Sequence, residues 1–433
     1  MEVRNCRNGG LTFINLKTPR GTKDYLPPEL KRHHYVEQNL REVFKLWGYQ
    51  EIRSPTIELV EVLSTGVGPE LIDSMFKFQD FDGKIVALRA EMTTPTARIL
   101  TTKMASTPKP IRLFYISNVF RYSQSYLERE REFWQAGVEL IGANTPEADG
   151  EVLSLLASSL KKLGLEEVRI DVGHAGLLKS LLKAAGLDKE KQSALQALLG
   201  HRNEEQLKEF MNQNNFSSEL REAFLQLSSC RRLEELSSVA LMSARYGKTR
   251  SYLKALLEVN DVLANYGVEK LVFFDFSLVR KIEYYTGIVF EASVPNLGLP
   301  LGGGGRYDNL LKKFGKLKIP ATGFAVAIEK CLQALTAQGF QLPKEEKVKV
   351  IVASKFRNAA VRAVNAIRDA GVVALLDLKK SSRKEILRYA KLNEIDYAVF
   401  TDSSLDKPAV IYDVKLDKMK NMAIKDFLKN VAG

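Results

Sequence analysis

Cysteine is scarce: Cys6, Cys230 and Cys331 are the only three, far apart, so neither a disulfide framework nor a paired-cysteine metal site can be drawn from one chain. Histidine is nearly as rare, at His33, His34, His174 and His201, and with so few His and Cys no zinc site of ordinary spacing emerges. No apolar run approaches the ~20 residues that cross a bilayer. The first 17 residues hold two arginines but no sustained apolar stretch, which gives no secretory signal. A soluble, intracellular, cytoplasmic protein without metal or cofactor is expected. Nucleotide signatures are missing too. Gly247-Lys248-Thr249 would need a glycine where Met242 stands to make a phosphate loop, and no GxGxxG follows a strand. No Ser-His-Asp arrangement suggests itself, and no acidic pair precedes a Thr-Gly loop that could hold a sugar pyrophosphate.

What remains is ordinary globular material, 45% hydrophobic and 27% charged over 433 residues, a length for two or three domains. The net charge of +12 fits a polyanion-binding surface or a merely solvated basic one. From Lys344 onward there are 19 Lys and Arg against 12 Asp and Glu, so more than half of the excess sits in the last fifth of the chain.

Periodicity divides the chain into an irregular arm (1–18), a core (19–337) interrupted by a helical insertion (175–266), a linker (338–346) and a C-terminal domain (347–433). In the core, Glu29 to Leu46 is expected as a helix, with Val36, Leu40, Val43 and Leu46 on one face and Gly48 as its stop. Strands are expected at Ile85–Arg89, Ile111–Tyr122 and Phe133–Gly142. The last two are joined by a polar hairpin loop, which implies antiparallel pairing. Gly302–Asp308 is expected as a glycine-rich turn and Phe324–Leu335 as a helix. After the linker, strands and helices alternate, which predicts a small α/β domain with a largely parallel sheet.

Chemistry-bearing residues gather in the antiparallel half. Strand alternation would put Glu91 and Thr93 on one face, able to hold an ammonium group. Arg121, Arg129 and Arg131 surround the hairpin loop and could grip a phosphate or carboxylate. Gln135 and Glu139 share a face of the returning strand. Any one of these alone reads as a solvated strand residue, and a Tyr284-Tyr285 pair before a strand is more often packing than recognition. His174 reads as a satisfied core histidine just as well as a functional one.

The order of the motifs resembles the histidyl-tRNA synthetase group of class II synthetases. It rests on Arg20-Gly21-Thr22-Lys23-Asp24, Leu88 to Thr93, Phe120 to Gly142, Tyr284-Tyr285-Thr286-Gly287 and the glycine run ending Arg306-Tyr307-Asp308. The tail is similar to the anticodon-binding domain of that group. The resemblance implies an α+β fold: a class II synthetase-like antiparallel sheet core with a helical insertion, plus a small α/β domain. Two families share this pattern, the synthetase and the synthetase-like regulatory subunit of ATP phosphoribosyltransferase. Departures from the synthetase pattern lie where ATP would bind. Ser123 replaces a glutamate, Ala327 a glycine, Lys330 an arginine, and Lys281-Ile282-Glu283 a Gly-Leu-Asp. Lysine keeps the charge but loses the planar fork. The amino-acid side matches throughout. By this resemblance Glu91 and Thr93 take the α-ammonium of histidine, Glu139 and Tyr285 the imidazole, Gln135 and Arg280 the carboxylate, with Tyr284 in the same set. Arg121 and Arg129 are left as anion-binding candidates. The resemblance therefore implies a non-catalytic subunit with no catalytic residues of its own. It would activate a short-form catalytic partner in the first step of histidine biosynthesis, mediate histidine feedback, and form a homodimeric core within a mixed octamer. The alternative is an active histidine–tRNA ligase, in which case tRNA is the partner.

Overall fold

The structure, a computed structural model, describes all residues except 1–2, 8–9, 15, 123–129, 202, 230–234, 236–247, 277, 279–283, 299, 316–317, 344–346, 403–404 and 432–433. It divides into two units, Met1–Leu342 and Pro343–Gly433. The first holds an eight-stranded sheet in the order Val272–Phe274, Arg169–His174, Ile288–Ser293, Pro300–Arg306, Ala321–Ala327, Glu132–Ile141, Ile111–Phe120, Gln50–Glu51. Only the two outermost pairs are parallel; the six central strands form antiparallel ladders.

Alternation sorts the central strands into two faces. From Glu132–Ile141, Ala136, Val138 and Leu140 join the main apolar core, with Phe114 and Ile116 from the neighbouring strand. Helices Pro27–Leu46 and Pro146–Lys162 cover that face through Val36, Leu40, Phe44, Val152, Leu153 and Leu156. Fully burying a side chain such as Phe44 contributes about 1.5–3 kcal/mol. The first helix begins two residues before the sequence expectation, because Pro27 and Pro28 suit its first turn, where no amide partner is required. It ends as expected at Gly48, with φ +81°. The opposite face carries Gln135, Gly137 and Glu139.

Four expectations are corrected here. Gly302–Arg306 is not a turn but the greater part of a central strand, Pro300–Arg306. A Cβ on Gly304 would lie 1.9 Å from the Gly323 carbonyl oxygen, and one on Gly302 2.2 Å from that of Ala325. The glycines admit a neighbouring strand rather than bend the chain. Phe324 lies in the strand Ala321–Ala327, and the helix begins only at Ile328; a buried central strand and a buried helix share the same continuous apolar pattern. Val3–Arg7 and Gly10–Ile14 pair as a hairpin where an irregular arm was expected. In the second unit, strands Lys349–Ala353, Val373–Leu376 and Tyr397–Phe400 are parallel, but Pro408–Asp413 and Lys418–Ala423 add an antiparallel hairpin. The sheet is mixed because the last connections are too short for a crossover helix. Lys418 and Lys420 mark its edge strand, a common protection of an open edge.

The segment from Ala175 to Tyr266 is helical where described: Ala175–Ala184, Lys189–His201, Glu204–Gln213, Ser218–Ser229 and Thr249–Tyr266. Leu177, Leu181, Leu199, Met211, Phe224 and Leu256 bury together along these helices.

Candidate functional site

The site begins with a buried arginine. Arg89 ends the strand Ile85–Leu88 and donates Nε and Nη2 to the carbonyl and side-chain oxygens of Asn118, each at 2.8 Å, and Nη1 to the Ser54 carbonyl at 2.8 Å. The loop after it is thereby clamped to the strand Ile111–Phe120. Arg121 adds a bond from Nε to the Ala90 carbonyl at 2.7 Å, and its guanidinium lies over the Phe133 ring.

Glu91 sits on this clamped loop. It and Thr93 do not share a strand face, because the strand stops at Leu88 and a helix starts at Thr93. The Glu91 carboxylate instead accepts the first free amides of that helix, Thr93 N at 2.6 Å and Thr94 N at 2.9 Å, and also the Thr94 hydroxyl. A carboxylate at a helix N-terminus satisfies orphan donors and meets the positive end of the dipole. The two residues are brought together all the same, by capping geometry.

Thr93 then donates its hydroxyl to Glu139 Oε1 at 2.8 Å, and Tyr307 donates to Oε2. Glu139 is fully buried. Burial pushes its carboxyl up to about 8, against the pull of hydrogen bonds from Tyr307 and Thr93 and with help from the Glu91 charge. Gly323 makes the space: a Cβ there would lie 2.1 Å from Glu139 Oε2. In the same way a Cβ on Gly137 would lie 2.5 Å from the Tyr115 hydroxyl. Across the sheet, the register aligns Tyr115, Gly137, Ala325, Gly303 and Glu291 in one row, and Leu113, Glu139, Gly323, Gly305 and Val289 in the next. Small residues on three adjacent strands leave a shallow floor roughly 10 Å wide, two strand spacings. Gln135, half-buried, stands at the end of this floor on Glu139's face, opposite Ser117 and Ala327.

The far wall is aromatic. Tyr284 and Tyr285 are buried with ring centroids 5.0 Å apart, and Tyr307 lies 5.4 Å from Tyr284. Burial and then the neighbouring Tyr285, Glu91 and Glu139 hold the Tyr284 phenol well above its ordinary value; burial and then Glu139 do the same for Tyr307. These phenols stay neutral and serve as hydrogen-bonding groups.

Six of the nine residues singled out in the sequence thus surround one pocket: Glu91, Thr93, Gln135, Glu139, Tyr284 and Tyr285. Arg121 anchors the Glu91 loop through its Nε. Arg280 and Arg129 lie outside the described residues, as do Ser123 and 281–283. Arg131, the third hairpin arginine, lies over the Tyr122 ring. Tyr307, Tyr115, Arg89 and Gly323 belong to the site and carried no role in the sequence reading. Each acts through a cross-strand register that no local pattern encodes; the signal that was there is the glycine run leading into Tyr307. His174 caps the helix Ala175–Ala184 by accepting from Gly176 N at 3.1 Å and Leu177 N at 3.3 Å. Burial pushes it down to about 4, so it is a neutral structural group. Among the described residues no cluster of three His, Cys, Asp or Glu could hold a metal, and no helix is long and apolar enough to cross a membrane.

Next to Gln135 in the strand, Trp134 packs on the helix-covered face beside His33, close to the helix Ile328–Ala337. Glu329 accepts from the Trp134 amide at 3.0 Å and the Tyr25 hydroxyl at 2.9 Å, and lies 3.7 Å from His33 Nε2. His33 Nδ1 lies 3.0 Å from Glu37. Burial pulls the His33 imidazolium down, but the Glu329 and Glu37 carboxylates on either side of the ring outweigh it and raise the group to about 9.

An antiparallel sheet flanked by helices, with an acidic and tyrosine-lined pocket on its open face, is the catalytic-core fold of class II aminoacyl-tRNA synthetases. The family model described as histidyl-tRNA synthetase matches residues 21–331. The chain is 37% identical over 349 residues to the ATP phosphoribosyltransferase regulatory subunit of Desulforamulus reducens, covering 81% of this chain and 86% of that one. It is 35% identical over 398 residues to the histidine–tRNA ligase of Thermococcus kodakarensis, covering 89% and 91%. A crystal structure from Bacillus halodurans, described as an ATP phosphoribosyltransferase regulatory subunit/histidyl-tRNA synthetase, superposes with a TM-score of 0.77 at 31% identity, over 90% of this chain and 98% of that one. The chain belongs to the histidyl-tRNA synthetase-like family that includes the ATP phosphoribosyltransferase regulatory subunits.

Proposed function

We propose that this chain is a non-catalytic regulatory subunit that binds histidine, activates a short-form ATP phosphoribosyltransferase and conveys histidine feedback to it. The observation that carries the reading is the contrast between the two ends of the pocket. At the inner end, Glu91, Thr93 and Glu139 converge through hydrogen bonds under a wall of three tyrosines. A histidine there would place its ammonium on Glu91 and Thr93, its imidazole between Glu139 and Tyr285, and its carboxylate toward Gln135 and Arg280. Toward the nucleotide side, the sequence has Ser123, Ala327 and Lys330 at the positions where an ATP-using relative has glutamate, glycine and arginine. The setting of Lys330 supports the reading. Glu130, raised by burial and by Glu329, is pulled down by Lys23 and Lys330, so Lys330 lies within charge reach of Glu130. Lys330 offers a triphosphate a point charge rather than a planar arginine fork.

The partner performs the transfer chemistry, in the cytoplasm, within a mixed octamer built on a homodimer of this chain. Histidine in the pocket would favour the inhibited assembly by binding it more tightly than the active one. The test is histidine-dependent ATP–pyrophosphate exchange on the purified chain. No exchange from a preparation that binds histidine supports the proposal. Robust exchange assigns the chain as an active histidine–tRNA ligase instead. In the reconstituted complex, feedback by histidine that survives Glu139→Ala also overturns it.

A further inference from the structure

Behind the tyrosine wall lies a second cavity, of about 370 Å³, lined by Gly176, Lys179, Ser180, Lys183, Tyr252, Tyr285, Thr286 and Asn309. Four of these residues form one face of the helix Ala175–Ala184, at the i, i+3, i+4 and i+7 positions that line up along a helix. Lys179 and Lys183 therefore project together, and like charges at this spacing repel by a few tenths of a kcal/mol unless something negative lies between them. No aspartate or glutamate lines the cavity among the described residues. Its other polar groups are neutral hydrogen-bonding ones: the hydroxyls of Ser180, Thr286 and Tyr252 and the amide of Asn309. The depression is open to solvent, and its volume falls in the range of sites that hold a small organic molecule rather than a bare ion.

We propose that this cavity binds the phosphoryl end of a small anionic metabolite, with Lys179 and Lys183 as its charge partners. Its walls say how occupancy would be felt. Lys179 Nζ also donates to the Tyr285 carbonyl at 3.4 Å. Thr286 N donates to the Arg306 carbonyl at 2.8 Å, and Asp308 N donates to Thr286 Oγ1 at 3.0 Å. The two segments joined by these bonds line the cavity with Tyr285, Thr286 and Asn309. On their other side they supply Tyr284, Tyr285 and Tyr307 to the pocket of Glu139. An anion that draws Lys179 away from the Tyr285 carbonyl loads the same wall that histidine would touch. The coupling rests on the histidine reading; the binding does not. By linkage each ligand changes the other's affinity by one common factor.

The experiment is calorimetric titration of the full chain, free of histidine, with inorganic pyrophosphate at low ionic strength. One site per chain is expected, weakened at least about tenfold by Lys179→Ala/Lys183→Ala, a loss of about 1.4 kcal/mol, and kept by Lys179→Arg/Lys183→Arg. Both lysines are exposed, so the variants fold. Absence of binding, or binding equally tight in the double alanine variant, overturns the proposal. So does a single-stranded oligonucleotide that displaces pyrophosphate from the same lysines with higher affinity, since the cavity would then serve a nucleic-acid backbone. These outcomes are read without histidine, so they stand whether or not the neighbouring pocket binds it.

Discussion

Histidine affinity should follow a plateau with two falling limbs as pH is varied, and Glu139 should create both limbs. In the empty pocket the Glu139 carboxyl titrates at about 8, while a free imidazole titrates near 6.5. Between those values the pocket carries one proton on Glu139 and the ligand carries none. The complex needs one proton shared between carboxyl and ring, so none is exchanged with solvent. Below about pH 6.5 both partners are protonated, and one proton must leave before they pair. Above about pH 8 neither is protonated, and one must be taken up. Each limb therefore costs about tenfold in affinity per pH unit, or 1.4 kcal/mol. The groups around Glu139 do not blur the profile: the Tyr307, Tyr284 and Tyr115 phenols are all held well above their ordinary value, by burial first. Calorimetry between pH 5.5 and 8.8, in buffers of different ionisation enthalpy, reads both affinity and protons exchanged. The expected count is near zero at pH 7.2, one released at the acid end and one taken up at the alkaline end. Glu139→Gln should bind more weakly and lose the alkaline limb. An affinity that is flat across this range, or protons exchanged at pH 7.2, would refute the assignment of Glu139 to the imidazole.

The same carboxyl strains the empty fold. Its folded value lies above the ordinary 4.5, so the native state holds a proton that the unfolded chain releases between pH 4.5 and 8, and stability falls as pH rises through that window. Glu139→Gln should therefore gain stability over the parent by roughly 1.4 kcal/mol per pH unit across it, read by urea unfolding at pH 5 and 8. Gly323→Ala drives a Cβ against both Glu139 Oε2 and the backbone carbonyl oxygen of Val138; we expect at least about a hundredfold loss of histidine affinity with a stability cost of about 3 kcal/mol or more, since the neighbouring strand must shift. Two buried histidines, His33 and His174, should titrate oppositely. His33, raised to about 9, contributes stability that is complete below 6.5 and lost as pH rises through 9, whereas His174, lowered to about 4, contributes stability lost as pH falls from 6.5 through 4. Substituting His33 by Gln should remove the part of the fall between pH 6.5 and 9 that His33 adds to that of Glu139, and leave the acid side unchanged, as followed by thermal melts from pH 4 to 9.5.

Legibility in the sequence followed the range of the interaction that decides each feature. Helix Pro27–Leu46 was readable because its proline pair, the apolar stripe of Val36, Leu40 and Val43 and its terminal glycine all lie within 22 residues; Leu46, expected on that stripe, is instead exposed at the helix end. The strands Ile111–Phe120 and Glu132–Ile141 were readable because one hairpin pairs them. The glycine run was not, because its cause is the carbonyl of Gly323, which belongs to the next strand and comes close only after the sheet has formed. Read locally, four glycines mean freedom; in the fold they mean the absence of room. The pairing of Glu91 with Thr93 was reached through strand alternation, yet the geometry that delivers it is a helix start, with the Glu91 carboxylate accepting amides that would otherwise be unpaired. That difference bears on function. A carboxylate held by two amides and a hydroxyl, on a loop clamped by Arg89 and Arg121, is fixed before any ligand arrives. Glu139 is fixed as well, by Thr93 and Tyr307. A pocket preorganised in this way needs no nucleotide to assemble it, and preorganised groups lose little entropy on binding. On the proposed reading, an amino-acid end would keep its form while a nucleotide end changed, because among the described residues the bonds that shape Glu91 and Glu139 run through Thr93, Thr94 and Tyr307 and not through Ala327 or Lys330.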